Sequence, residues 1–237
     1  MLNRDTVRPV AHVRVSGFLP STSGLHFTNY YPHEPEIQIK LPFGPTLSLG
    51  DAANGLCGGM ALVSRDYFEV GKSIPSDTEP PPPATPLYRF IVQRLMDSFN
   101  LPFGLTRYAE LMHPAFPDVG PGFGLPGRAS VMVRDEWPHI QNDLDGGHPV
   151  PLGLIKVISA NPHDLCKNHQ VLAYGYDLDG SDLTLHLYDP NYANNDDVTL
   201  RLSIAGVNSP VLLTYAPAES VYCFFRTPYS PAPPPDV

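Results

Sequence analysis

Gly55-Leu56-Cys57-Gly58-Gly59-Met60-Ala61 is the stretch on which the reading of this chain turns. Small residues flank Cys57, so the backbone there can bend sharply and lie close to a neighbour. Directly afterwards Met60, Val63, Tyr67 and Val70 recur at three- and four-residue steps, and Gly71 is a natural stop. The pattern predicts a helix opening at Cys57. In its first turn the unpaired N–H groups and the positive end of the dipole favour a thiolate over a thiol. A buried structural cysteine is the commoner fate of this residue type. The nucleophile reading therefore needs partners elsewhere in the chain.

Downstream, Pro80 to Pro83 form a stiff linker, after which Thr85 is placed to cap a helix that starts at Pro86. Leu87, Ile91, Leu95 and Phe99 carry that helix to about Ser98, and Leu105, Tyr108, Leu111 and Met112 mark a shorter third one. Pro114 to Gly127 is a loop with Phe116, Phe123 and Leu125 as hydrophobic pins. Pro138 opens a fourth helix, with Trp137, Ile140 and Leu144 on one face and Gly146-Gly147 ending it. The pattern then changes to strands: Val150 to Ile158, Gln170 to Tyr176, Leu183 to Tyr188, Val198 to Ile204 and Val221 to Phe225. Upstream, residues 1–50 read as an irregular arm with one or two short strands (Ala11 to Val15, Ile37 to Leu41). Two turns there, around Phe18 and around Tyr30-Tyr31, carry aromatic anchors. Helices before strands give an α+β class: one domain over 1–227, with a helical lobe at 51–147, a β lobe at 148–227 and a cleft between them. The Pro-rich residues 228–237 read as an extended tail.

With 15 Lys+Arg against 24 Asp+Glu the net charge is −9, the wrong sign for a sequence-independent nucleic-acid binder or for a protein that lies on an anionic membrane. Three cysteines, an odd number, do not make a disulfide framework. Met1-Leu2-Asn3-Arg4-Asp5-Thr6-Val7-Arg8 lacks the apolar core of a signal peptide. The expected compartment is a reducing cytoplasm, with export by a route that cleaves no signal also compatible.

Partners for Cys57 come from the second half. Asn168-His169-Gln170-Val171-Leu172-Ala173-Tyr174-Gly175 faces Leu183-Thr184-Leu185-His186-Leu187-Tyr188-Asp189 across a strong turn signal, Asp177 to Asp182. A hairpin centred on Asp179 sets His169 directly opposite Asp189, on one face of the sheet. A sulfur nucleophile needs a base for its proton, and the base needs an acceptor on its other nitrogen. Cys57, His169 and Asp189 supply these parts in that order.

The cysteine at a helix start, with His and an acid on neighbouring strands later in the chain, resembles the papain-like cysteine peptidase superfamily. Asn168 to Gly175 with Tyr188-Asp189-Pro190-Asn191 is similar to the bacterial branch that includes peptidases trimming double-glycine leaders, and Gly55 to Met60 resembles an uncharacterised microbial family of that superfamily. The resemblance covers about residues 50–191. It implies a cofactor-free thiol hydrolase or acyltransferase acting on a peptide or amide, with Cys57 as nucleophile, His169 as general base and acid, and Asp189 as orienter. One position departs from the pattern. Asp51 stands where such enzymes carry a glutamine for the oxyanion, and its charge would repel one. Asn54 is the nearest amide, the Cys57 N–H is the second candidate donor, and Gln170 points to the other face of its strand. Asp51 therefore supports an alternative, an inactive papain-like binding or effector module. A third possibility is a metal-dependent hydrolase on His163-x-x-Cys166-x-x-His169, which lacks a fourth ligand and a suitable strand geometry. Asp177-x-Asp179-Gly180-x-Asp182 is too short for a calcium loop. Cys166 and Cys223 read as buried apolar residues.

Overall fold

The computed structural model describes residues 10–31, 37–40, 46–49, 55–83, 85–100, 103–122, 125–216 and 218–236. It is an α+β protein whose larger sheet is antiparallel throughout. Strands β1 (Ala11–Arg14), β4 (Val150–Ile155), β5 (His169–Asp179), β6 (Asp182–Tyr188), β7 (Thr199–Ser203), β8 (Thr214–Ala216) and β9 (Cys223–Arg226) run in the order β8-β7-β6-β5-β4-β9. Strand β5 is long enough to hold two partners end to end on one edge: β4 along His169 to Ala173 and β1 along Gly175 to Leu178. The arm thus adds a strand to the main sheet. Strands β2 (Ile37–Lys40) and β3 (Thr46–Leu49) make a separate hairpin.

Helix α1 (Pro20–Ser23) is a single turn in the arm, and α2 (Cys57–Glu69) opens at Cys57 as its periodicity requires. Helix α3 (Pro86–Ser98) keeps its sequence-read bounds because Thr85 Oγ1 accepts from the Tyr88 N–H at 3.3 Å and Pro86 fills the first turn. Helix α4 (Phe103–Met112) comes next. The fourth helical segment begins well before Pro138: α5 (Arg128–Ser130) runs through a π-helical stretch, Val131–Glu136, into α6 (Trp137–Asp145). Pro138 has no N–H for the carbonyl four residues back, and the widened turn before it lets the helix continue regardless. In the loop before α5 Phe116 serves as a pin, lying under the Arg128 guanidinium, while Leu125 is 61% exposed and does not; Phe123 lies outside the described residues.

Among the described residues the buried side chains form two apolar clusters. One joins α4, α6 and both covered strands β4 and β5 through residues such as Leu111, Ile140, Leu152 and Val171. The other joins α2 and α3 to the arm through Met60, Ile91, Phe27 and Tyr31. Helix α2 belongs to both, giving Ala61 to the first and Met60, Val63 and Tyr67 to the second. Its first turn consequently lies on the seam between sheet and helices. The extended tail is docked. Tyr229 Oη and the Ala232 N–H donate to Asp66 of α2, Arg94 of α3 pairs with Asp66 and donates to the Ser230 carbonyl at 2.8 Å, and Tyr67 Oη donates to the Pro235 carbonyl at 2.8 Å. No helix among the described residues is long and apolar enough to cross a membrane.

The hairpin register differs from the one expected. The turn is Gly180-Ser181, with Asp179 opposite Asp182, so His169 and Asp189 are not directly paired. Tyr174 is an extra residue in β5, a bulge that shifts the pairing to Ala173 opposite Leu187 and Leu172 opposite Tyr188. One step further, Asp189 comes opposite Val171, diagonal to His169 and on the same face.

Candidate active site

Three elements deliver the site. Cys57 is the first residue of α2 and is half-buried. What brings that turn against its neighbours is the pair of glycines after it. A Cβ on Gly59 would lie 2.1 Å from the Ile91 carbonyl of α3, and one on Gly58 would lie 2.5 Å from Ser98 Oγ and 2.6 Å from Gln170 Nε2 of β5. No larger residue allows this approach. His169 opens β5, and the residue before it sets its start: Asn168 Oδ1 accepts from the Lys156 N–H at 3.0 Å and Asn168 Nδ2 donates to the Leu165 carbonyl at 3.2 Å. Asp189 comes directly after β6, in a side-chain turn in which its Oδ1 accepts the Asn191 N–H at 2.8 Å.

His169 Nε2–H donates to Asp189 Oδ1 at 2.7 Å, and the ring shares a second hydrogen bond with the Cys57 sulfur. With Nε2 engaged by Asp189, Nδ1 is the ring nitrogen left for the thiol. The Gln170 main-chain N–H also donates to that sulfur. Asp189 is 1% exposed, and its second oxygen accepts the hydroxyl of Tyr215 in β8. A buried carboxylate with three donors is well compensated. Beyond Tyr215, Glu219 pairs with Lys156 and accepts from Tyr192 Oη.

The charges result from this arrangement. Burial works against a charge on His169, but the Asp189 carboxylate and the Cys57 sulfur outweigh it and push the imidazole up to about 10. Burial likewise raises the Cys57 thiol, yet His169 and the Gln170 N–H overcome it, so the thiol lies below its ordinary value. Burial would raise Asp189 too; His169, Tyr215 and Asn191 hold it below the usual carboxylate range. Tyr215 is driven up by its burial and by Asp189, and so stays a phenol that donates. Both shifts run in the direction that favours a thiolate beside an imidazolium over the neutral pair.

Cys57, His169 and Asp189 are therefore brought together. Asn54 and Asp51 lie outside the described residues. The Gln170 side chain lies against the first turn of α2, where a Cβ on Gly58 would come within 2.6 Å of its Nε2, and that Nε2 donates to Ser98 Oγ at 3.1 Å, so the residue reaches the site through its side chain as well as through the main-chain N–H that donates to the sulfur. The zinc spacing gathers nothing: His169 is committed to Cys57 and Asp189, and the Cys166 thiol donates to the His163 carbonyl at 2.9 Å. Among the described residues no group of three His, Cys, Asp or Glu side chains could hold a metal ion. The Asp177 to Asp182 segment is a hairpin turn, Cys223 is fully buried and Cys166 half-buried. Tyr215 escaped the sequence reading because a three-residue edge strand shows no periodicity. Tyr108, whose phenol is raised by burial and by Cys57 and lies 3.5 Å from the His169 carbonyl, looked like any helix core residue.

Scans of this chain against protein-family models, curated proteins and solved structures each find no match. The functional reading rests on the site alone.

Proposed function

We propose that the chain is a papain-like, cysteine-dependent hydrolase of peptide or amide bonds, or an acyltransferase using the same intermediate. One observation carries the reading: a buried imidazole held between a carboxylate on one nitrogen and a thiol on the other, with the thiol at the start of a helix. The chain order Cys57, His169, Asp189 and the passage from helix to antiparallel sheet support the papain-like assignment.

In this reading the Cys57 thiolate attacks the substrate carbonyl carbon, and a C–S bond forms as the C=O electrons move onto oxygen. The first-turn N–H groups of α2, left without intrahelical partners by helix geometry, are suited to receive that oxyanion. The His169 imidazolium gives its Nδ1 proton to the leaving nitrogen as the C–N bond breaks, which leaves a thioester and a neutral imidazole. Water, or an amine in the transferase case, then attacks. His169 takes its proton, and Cys57 leaves again as thiolate. Asp189 stays ionised and fixes the ring.

The test needs no substrate. The rate of Cys57 carboxamidomethylation by iodoacetamide, monitored on its own peptide by mass spectrometry, should rise with a midpoint well below the ordinary ~8.5 of a free cysteine. His169→Ala should return the midpoint to that ordinary value. An ordinary midpoint in the native chain would refute the proposal.

A further inference from the structure

Asn29, in the arm, is tied to both halves of the site. Its Oδ1 accepts from the Leu56 N–H at 2.6 Å, on the residue directly before Cys57. Its Nδ2 donates to Asn191 Oδ1 at 3.1 Å, and its own N–H donates to the Pro190 carbonyl at 2.8 Å. Asn191 in turn gives its N–H to Asp189 Oδ1. A closed ring of contacts results, running from Cys57 through Leu56, Asn29, Asn191, Asp189 and His169 back to Cys57. Gly55 is shaped by the same side chain, since a Cβ there would lie 2.1 Å from Asn29 Nδ2, 2.6 Å from its Cγ and 2.7 Å from its Oδ1. The glycine two residues before the cysteine is thus the socket for the Asn29 amide.

The tie has a chemical consequence. Leu56 is the N-cap of α2 and has no side chain able to satisfy a backbone group, so the position of the first turn is not fixed by a cap of its own. Asn29 supplies that restraint from outside and sets it against the loop that carries Asp189. A hydrogen bond between sulfur and imidazole weakens steeply with misalignment. A residue that holds both partners at a fixed separation therefore controls how far the thiol is depressed.

We infer that Asn29 is a positioning residue of the thiol site, acting through Leu56 on one side and Asn191 on the other, with Gly55 as its required complement. The assignment rests on the Cys57–His169 reading above and deepens it. Asn29 touches neither the sulfur nor the imidazole in the hydrogen bonds described, so its effect is on their alignment.

The experiment compares the native chain, His169→Ala, Asn29→Ala, Gly55→Ala and the Asn29→Ala/Gly55→Ala double variant in the alkylation profile of Cys57, with near-ultraviolet circular dichroism to establish folding. Asn29→Ala should raise the midpoint by about one pH unit, a roughly tenfold loss of thiolate below it. Gly55→Ala should do the same by displacing the amide, and the double variant should match the single Asn29→Ala, because the added methyl then enters space already vacated. A structural role alone would lower stability without moving the midpoint. If folded Asn29→Ala keeps the native midpoint while His169→Ala abolishes it, Asn29 does not position the thiol, whereas the site stands. Should Asn29→Ala not fold, Gly55→Ala decides: a native midpoint there overturns the assignment. An ordinary midpoint in the native chain, unaltered by His169→Ala, removes the site and this inference together.

Discussion

Replacing Asp189 by asparagine separates the charge of that side chain from its shape. The amide oxygen can keep accepting the His169 Nε2–H and the Asn191 N–H, which Asp189 Oδ1 accepts at 2.7 and 2.8 Å, while the amide nitrogen faces the Tyr215 hydroxyl, an oxygen able to turn and accept. The packing is conserved and one negative charge is lost. Two unit charges with centres about 4 Å apart interact by about 4 kcal/mol at an effective dielectric constant of about 20. At 1.36 kcal/mol per unit that is about three pKa units. His169, pushed up to about 10 in the native protein against the opposing effect of burial, should then titrate at about 7 in Asp189→Asn. With a neutral imidazole at pH 8, the main influence lowering the Cys57 thiol disappears, and its alkylation midpoint rises. The assay is a proton NMR titration of the His169 Hε1 resonance, with iodoacetamide kinetics on the same samples. A His169 that still loses its proton near 10 in the variant would show that Asp189 does not hold the imidazolium, and the electrostatic account of the site would fail.

Tyr215→Phe removes one donor from buried Asp189 and should cost about 1.5–3 kcal/mol, the range for hydrogen bonds to charged groups. At about 2–4 °C per kcal/mol for a domain of this size, the thermal midpoint falls by about 3–12 °C; an unchanged melt would refute the contact. Stability should also depend on pH in a defined sense. His169 has a raised folded pKa, so its contribution is complete below its ordinary 6.5 and is lost as pH rises through about 10. Asp189 has a depressed one, so its contribution is present above the ordinary carboxylate value and is lost as pH falls through the lowered folded value. Urea midpoints measured across this range should decline on the alkaline side, and His169→Gln should flatten that decline; a persistent slope would assign it elsewhere. At the other end of α2, Asp66→Ala takes from Arg94, which is 2% exposed, the more buried of its two carboxylate partners, leaving it Asp97, and frees Tyr229 and Ala232 of the tail. The expected cost is about 3–5 kcal/mol in urea unfolding, with faster proteolysis of residues 228–236; a loss below about 1 kcal/mol would mean that the tail is not clamped there.

Much of this architecture can be read from residue spacing. Helix α3 declares itself through Thr85, Pro86 and four-residue apolar steps because it buries one face, and α2 through the glycines and periodicity around Cys57, although its first two turns are buried all round between the two clusters. Strands β4 and β5 stand out as apolar runs, being covered on both sides over most of their length. Other features leave no local signal. Strand β8 spans three residues and is defined by pairing with β7, a tertiary event. The π-helical turn before Pro138 exists because α6 and the chain before it are both fixed by packing. Asn29 reads as a turn residue in an irregular arm, and nothing near it in sequence points to Leu56 or Asn191. The pairs that tie the site are separated by many residues, whereas periodicity senses only neighbours.

The meeting of His169 with Asp189 shows how a long-range feature decides a local reading. Without a bulge, the register set by Asp179 opposite Asp182 would carry through β5 and bring Asp189 opposite Leu172, on the face away from His169, because one residue of slip exchanges the faces of a strand. Tyr174 supplies the extra residue that restores the shared face. Three contacts hold it in place: the Val15 N–H donates to its carbonyl at 2.8 Å, its ring lies 5.6 Å from that of Phe18, and its hydroxyl donates to the Asp196 carbonyl at 3.0 Å. Two of these come from the arm, directly after β1 joins β5. The segment that looks least regular in the sequence therefore fixes the parity of the strand that carries the imidazole, and through Asn29 it also fixes the turn that carries the sulfur. An arm that pairs with β5 and accepts from the Leu56 N–H is part of the site's construction, because it touches both the strand that carries the imidazole and the turn that carries the sulfur.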